Sequence, residues 1–183
     1  MSFASSLERF ATQLDALAET IGRWVSWLTL AMVLVTFTVV VLRYAFNLGW
    51  IALQESITYL HATVFLLGAA YTLRHDAHVR VDVFYRDFRP ATKAWVDLLG
   101  ALGLLLPVCG FILWSSWGYV AESWALHEGS REAGGLPGLY LLKTAIPVMA
   151  VLVMIQGIAQ ALHALTALLE HRPEPSGQPP AEL

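Results

Sequence analysis

Four apolar runs, each bounded by charged residues, constrain this chain more than any other feature of its sequence. Each run is long enough to cross the hydrocarbon core of a bilayer, which takes about 20 apolar residues as a helix. Of the 183 residues, 57% are hydrophobic and only 14% are charged, whereas roughly a quarter are charged in a soluble domain. We therefore predict an all-α membrane protein with four transmembrane helices, over about 24–46, 50–73, 94–124 and 143–169.

Basic residues are distributed unevenly between the two sides of these runs. Most of the 11 lysines and arginines lie before the first run, between the second and third, or after the fourth. The remaining loops contain only Arg43, Arg131 and Lys143. Because lysine and arginine accumulate on the cytoplasmic side of a membrane protein, we predict that both the N and C termini are cytoplasmic.

Residues 1–23 have a pattern of their own. Apolar side chains recur there at spacings of four and three, which places them on one face of a helix. They are Phe3, Leu7, Phe10, Leu14, Leu17 and Ile21. We predict an amphipathic helix that packs on the membrane interface or against a partner, with a solvent-facing extension as the alternative. The Pro-rich stretch 170–183 has little apolar surface, and we predict that it is disordered.

The third run carries a stripe of small residues on one helix face, formed by Gly100, Gly103 and Gly110. Small residues let helix backbones approach closely in lipid. The stripe is therefore a candidate packing surface, either inside the four-helix bundle or toward a partner. Pro107 lies in the same run and predicts a bend, because proline removes a backbone hydrogen bond.

The stretch "RHDAHVRVD", residues 74–82, combines histidines and carboxylates in a way that raises the question of a metal site. His75 and His78 have a spacing that some metal ligands use. A zinc site normally needs four ligands in a closed arrangement, however, and the neighbouring arginines would repel a cation. The small net charge of −3, mixed in sign, also gives no reason to expect a nucleic-acid partner.

The same stretch has a structural interpretation as the turn between the second and third helices. Asp82 can cap a short helix through Phe84, Tyr85 and Phe88, and Pro90 can begin the next helix. Arg74 and Arg80 can hold lipid phosphates or loop carboxylates at the inner surface. We predict a structured cytoplasmic turn, with an unstructured charged hinge as the alternative.

Glu55 is the carboxylate closest to the interior of a predicted span, and Tyr59 shares its helical face. A carboxylate near a span is costly unless it is paired or hydrated. Glu55 therefore either pairs with a neighbouring helix or subunit, or carries protons or cations in a small exporter.

His61 and His163 raise a second alternative, a haem-binding or quinone-linked membrane anchor of an oxidoreductase. Their predicted depths in the membrane differ by about 10 Å, which disfavours a shared iron. The sequence also has no nucleophile-elbow serine and no phosphate-binding glycine loop, so we predict no enzyme activity.

Two segments resemble a known family. From Glu55 the chain reads "ESITYLHATVFLLGAAYTLRHDAHVRVDVFY", and from Gly134 it reads "GGLPGLYLLKTAIP". Both resemble the small membrane subunit, the DctQ type, of tripartite ATP-independent periplasmic (TRAP) transporters. The resemblance covers about 24–169.

The resemblance implies a non-catalytic subunit of a sodium-coupled secondary transporter in the bacterial inner membrane. The expected partners are a large membrane subunit (DctM type), which would hold the substrate and sodium, and a periplasmic binding protein (DctP type) that captures a carboxylate-bearing solute. This chain would act as a scaffold in contact with membrane lipid and without a cofactor. The candidate structural or interface residues are Glu55, Tyr59, Arg74, His78, Arg80, Asp82, Gly100, Gly103 and Gly110.

Overall fold

A computed structural model describes residues 3–79 and 83–170 of the chain. The regular secondary structure of these residues is helical throughout, and it includes four helices that are long and apolar enough to cross a membrane, which confirms that part of the predicted fold. Arg80, Asp82 and the predicted disordered tail after residue 170 lie outside the described residues. The elements are α1 Phe3–Ala45, α2 Ile51–Arg74, α3 Pro90–Gly100, a π-helical turn Ala101–Leu105, α4 Leu106–Ala125 and α5 Leu139–Glu170.

The helix α1 is longer than the predicted first span because it has no break near residue 23. Its 43 residues extend about 64 Å at 1.5 Å per residue, roughly twice the thickness of a bilayer core. The one glycine in its interior, Gly22, stays helical and lies against the ring of Tyr71 on α2. The predicted N-terminal helix and the first span are therefore one continuous element.

The N-terminal half of α1 packs on the bundle mainly through small residues, and part of its predicted apolar face remains exposed. Ala11 and Ala18 are almost completely buried, whereas Phe10 and Leu17 are 52% and 42% exposed. Small side chains allow close helix approach. Ala11 and Ala18 therefore lie at the contact, Leu7, Leu14 and Ile21 are half-buried beside them, and Phe10 and Leu17 remain on the outside.

The helix α5 is the centre of the bundle. It contacts α1, α2, α3, the π-helical turn and α4, while α1 and α2 make no approach to α3 or α4 among the described residues. Half of its buried positions are alanines: Ala150, Ala159, Ala161 and Ala164. At Gly157 the backbone approaches Leu105 so closely that an added Cβ would lie 2.3 Å from the leucine Cδ2.

The third helical rod, Pro90–Ala125, is interrupted by the π-helical turn directly before Pro107. Proline has no backbone N–H, so a local change in the hydrogen-bond pattern accommodates it. Gly100, Gly103 and Gly110 do not pack inside the bundle, because a Cβ at any of them would meet no described atom within 4 Å. The stripe therefore faces open space in the part of the chain that the structure describes.

Two helices end in the same hydrogen-bonded cap, in which a residue with left-handed backbone follows the C-cap. At the end of α2 this residue is Asp76, with φ 56°, and the Ala77 amide donates to the Thr72 carbonyl over 3.0 Å. At the end of α4 it is His127, with φ 47°. The start of "RHDAHVRVD" is therefore the end of a helix rather than a loop binding site.

The segment after the undescribed residues folds as a turn and not as the predicted short helix. Residues 83–87 are turn residues, and the Phe88 amide donates to the Tyr85 carbonyl, 3.2 Å, as in a single turn. Tyr85 then bonds to Asp97 of α3 through its hydroxyl, 2.8 Å, which directs the segment onto α3 instead of into a further helical turn. Pro90 begins α3 as predicted.

Candidate functional site: polar clamps at the two ends of the bundle

Glu55 anchors the connection between α4 and α5. Its carboxylate accepts a hydrogen bond from the Ser130 hydroxyl at Oε1 and one from the Leu136 backbone amide at Oε2, 2.7 Å. Both donors belong to the segment 126–138. Glu55 is therefore satisfied by protein groups, in agreement with the paired interpretation of this residue. Of its neighbours, Tyr59 has a buried hydroxyl without a hydrogen-bond partner among the described residues.

Two glycines allow this segment to close around the carboxylate. Gly134 has φ +81°, a conformation that favours glycine. At Gly135 an added Cβ would lie 2.4 Å from the Ser130 hydroxyl and 2.7 Å from Glu55 Oε2. The "GGL" of residues 134–136 thus brings the Leu136 amide to Glu55, which gives a physical reason for the second family-like segment.

A second carboxylate, Glu128, fastens the same segment to α4 and α5. It accepts hydrogen bonds from the Lys143 ammonium and from the Ser123 hydroxyl, 2.7 Å. The hydrogen bond from Lys143, followed by that from Ser123, holds the pKa of Glu128 below its ordinary value of 4.5. Lys143 also lies over the Tyr119 ring, 4.0 Å from its centroid. The sequence did not identify Glu128 or Ser123 as candidate residues, because no local sequence pattern indicates a contact between a loop and a helix.

At the opposite end of the bundle, Glu19 joins α1 to α2. It accepts from Arg74 over 2.5 Å and approaches His75 Nε2 at 2.9 Å. Arg23 of the same helix bonds its other oxygen, 2.7 Å. The predicted carboxylate partner of Arg74 is therefore on α1 rather than in a loop. His78, also predicted as an interface residue, is exposed.

A third polar group joins α1 to α5, and the sequence did not reveal it. Asp15 accepts a hydrogen bond from Gln156 Nε2, 2.8 Å, and lies 2.8 Å from His163 Nε2. Glu8 lies 3.0 Å from the other ring nitrogen of His163. One sequence feature could have indicated this contact. Glu8 and Asp15 are seven residues apart, the same spacing as the buried Ala11 and Ala18, so both pairs recur along the helix with the same period.

The histidines and carboxylates of this chain do not assemble into a metal-binding group in the part that the structure describes. Both ring nitrogens of His163 face carboxylates, as just described, and His61 stacks beside Phe65 with centroids 6.4 Å apart. The two histidines of the haem alternative are therefore in unrelated surroundings. The polar groups connect helices and loops to one another toward the two ends of the bundle.

Comparisons with known proteins agree with the resemblance seen in the sequence. Residues 32–167 match the family described as "Tripartite ATP-independent periplasmic transporters, DctQ component". The chain is also similar to the C4-dicarboxylate TRAP transporter small permease protein DctQ of Vibrio cholerae serotype O1 (strain ATCC 39315 / El Tor Inaba N16961). Identity is 32% over 89 residues, which is 49% of this chain but only 38% of that relative's length. No solved structure matches the chain.

Proposed function

Because the chain belongs to the DctQ component family of the TRAP transporters, we propose that it is a non-catalytic scaffold for the large subunit of a sodium-coupled importer. The observation that carries the proposal is the family match over residues 32–167. In this role the large subunit holds the substrate and the coupling sodium ions, and a periplasmic binding protein delivers a carboxylate-bearing solute. The C4-dicarboxylate in the relative's name is one such solute.

The distribution of polar contacts supports a bracing role. The ion pairs between described residues involve Glu19, Glu128 and His163, which connect to the end of α2, the first turns of α5 and the N-terminal half of α1, respectively. A transporter core is expected to have interrupted helices that bring polar groups to the middle of the membrane. A bundle fastened at its ends is better suited to hold a fixed shape beside a moving partner.

The outward surfaces support a partner in the membrane. Trp114 and Trp117 of α4 and Phe37 of α1 are 78%, 67% and 66% exposed. The stripe of Gly100, Gly103 and Gly110 is open as well. We assign the stripe to contact with the large subunit, since small residues permit close helix packing there. The exposed Phe10 and Leu17 of α1 face the inner membrane interface or the same partner, with both termini in the cytoplasm of a bacterial cell.

Reconstitution tests the proposal. Vesicles that contain this chain, a DctM-type subunit and a DctP-type binding protein should accumulate a dicarboxylate when a sodium gradient is applied, and omission of any one protein should abolish uptake. The chain alone should transport nothing. Uptake that is undiminished without this chain, or uptake by this chain alone, would contradict the scaffold role.

A pair of variants tests the assigned contact surface. Gly103→Leu should reduce co-purification with the large subunit while the isolated chain remains folded. Leu104→Phe, a change at the adjacent exposed position, serves as the size control and should retain the partner. Equal co-purification of both variants would show that the stripe is not part of the interface with the large subunit.

A further inference from the structure

A cavity of about 610 Å³ lies beside α5 in the space between α2 and α4. These two helices both pack on α5 but do not approach each other among the described residues. The cavity is bounded by residues from α2, α4, α5 and the segment 126–138. We call it the α2–α4 cavity. It is distinct from the Glu55 clamp, because Glu55, Ser130 and Leu136 are not among the residues that line it.

The lining of the α2–α4 cavity is apolar toward the middle of the bundle. Ala62 and Leu66 line it on α2, and Leu142 and Ile146 line it on α5. Ala62 and Leu66 lie seven and eleven residues beyond Glu55, or about 10 and 16 Å further along the helix. This depth places the apolar part of the cavity at the level of lipid acyl chains.

The other end of the α2–α4 cavity is charged, and its charges are of both signs. Glu128 and Lys143 are bonded to each other, as described above, and neutralise one another. Glu122 of α4 and Arg131 of the segment 126–138 also line the cavity. Both are exposed, and neither forms an ion pair within the described part of the chain. The charged end of the cavity therefore has one carboxylate, Glu122, and one guanidinium, Arg131, that form no ion pair with the described residues. This end adjoins the apolar part of the cavity.

We propose that the α2–α4 cavity binds a phospholipid with an ethanolamine headgroup. The Arg131 guanidinium presents several N–H donors to the lipid phosphate, an acceptor that arginine recognises well. The Glu122 carboxylate receives the ammonium of the headgroup. One acyl chain lies against Ala62, Leu66 and Ile146. The arrangement discriminates against phosphatidylglycerol, which has the phosphate but no ammonium for Glu122.

Native mass spectrometry of the full chain, released from micelles that contain defined lipids, tests this assignment. The probes are phosphatidylethanolamine and phosphatidylglycerol with the same acyl chains, and inorganic phosphate as a competitor without a chain. We expect the unmodified protein to retain phosphatidylethanolamine in preference to phosphatidylglycerol. Inorganic phosphate at matched concentration should not displace the lipid.

Three variants separate the parts of the site. Arg131→Gln should lower retention of phosphatidylethanolamine about three- to fivefold, the effect of losing an exposed ion pair. Glu122→Gln should reduce the preference over phosphatidylglycerol by about the same factor. Leu66→Trp should fill the apolar part of the cavity and displace both lipids. Arg43→Gln, an exposed arginine at the same end of the bundle, is the control and should change nothing.

The two charge variants keep the test decisive if Leu66→Trp fails to fold, because both alter exposed side chains. Equal retention of the two lipids by the unmodified protein would overturn the proposal. So would an Arg131→Gln variant that behaves like Arg43→Gln. Preference for phosphatidylglycerol would indicate a site that recognises only the lipid's negative charge. Displacement by inorganic phosphate would show that the acyl chain does not contribute to binding. Either result contradicts the assignment.

Discussion

The Glu55 carboxylate on α2 and the backbone amide of Leu136 are joined by a hydrogen bond of 2.7 Å across 81 residues of sequence. This bond, with that from Ser130, ties the α4–α5 connection to a helix that is distant in sequence. The carboxylate that most resembled a proton or cation carrier therefore holds a loop in place. Its removal should loosen that loop without unfolding the helices.

Glu55→Ala should free the segment 130–136. The Leu136 amide loses its acceptor, and we expect its hydrogen exchange to accelerate about tenfold, since a loop amide outside regular secondary structure is protected chiefly by its own hydrogen bond. Hydrogen–deuterium exchange followed by mass spectrometry measures the effect. Glu132→Gln, a change of another carboxylate in the same segment, is the control. Unchanged protection of Leu136 in Glu55→Ala would mean that other contacts hold the loop.

The second clamp should respond to pH. The hydrogen bonds from Lys143 and Ser123 place the folded-state pKa of Glu128 below 4.5, the ordinary value that applies in the unfolded chain. The contribution of Glu128 to stability is therefore complete above about pH 4.5 and is lost as the pH falls through the lower, folded-state pKa. The ¹³C shift of the labelled Glu128 carboxyl, followed in micelles, measures this pKa directly.

Lys143→Met supplies the comparison for that titration. It removes the principal cause of the shift, so the pKa of Glu128 should rise toward 4.5 and the loop should loosen at a higher pH. Arg131→Gln, which removes a smaller and purely Coulombic contribution, should raise it less. An identical titration in the Lys143→Met variant would show that the ion pair is absent in solution.

The sequence was sufficient to predict the helices, because hydropathy and charge act over twenty residues at a time. The sequence was much less informative about which face of a helix packs on the bundle. Phe10 and Leu17 belong to the apolar face that we predict to pack on the membrane interface or a partner, and both are exposed, whereas Ala11 and Ala18 beside them are buried. In a membrane, large apolar side chains gain little by leaving lipid, so close packing of small residues determines which face turns inward. A hydrophobic pattern alone therefore does not identify the face that packs on the bundle.

The polar contacts were harder still to predict. The partner of Glu55 lies 81 residues away and that of Asp15 lies 148 residues away at His163. Such pairs depend on how whole helices pack, which no local spacing encodes. The sequence predicts that Arg74 binds lipid phosphates or loop carboxylates, but its partner Glu19 could be found only from the arrangement of α1 and α2.

Asp15 should control whether the N-terminal half of α1 stays on the bundle. Asp15→Ala removes one of the two carboxylate partners of His163 and the acceptor of Gln156 Nε2, which leaves the buried Gln156 amide unsatisfied. We expect faster tryptic cleavage after Arg9 and Arg23 in this variant. Gln13→Ala, at an exposed position of the same helix, is the control. Cleavage rates that match between the two variants would show that Ala11 and Ala18 hold the helix without polar help.

Two glycines in different surroundings should respond oppositely to the same substitution. Gly22→Ala places a Cβ 2.3 Å from the Tyr71 ring, and the ring cannot withdraw without moving α2, so we expect a loss of about 1–3 kcal/mol in the free energy of unfolding. Gly103→Ala meets no atom within 4 Å and should gain about 0.5–1 kcal/mol from its helical preference. Denaturant unfolding of the isolated chain in micelles measures both. A Gly22→Ala variant as stable as Gly103→Ala would mean that α1 and α2 are further apart than the structure places them.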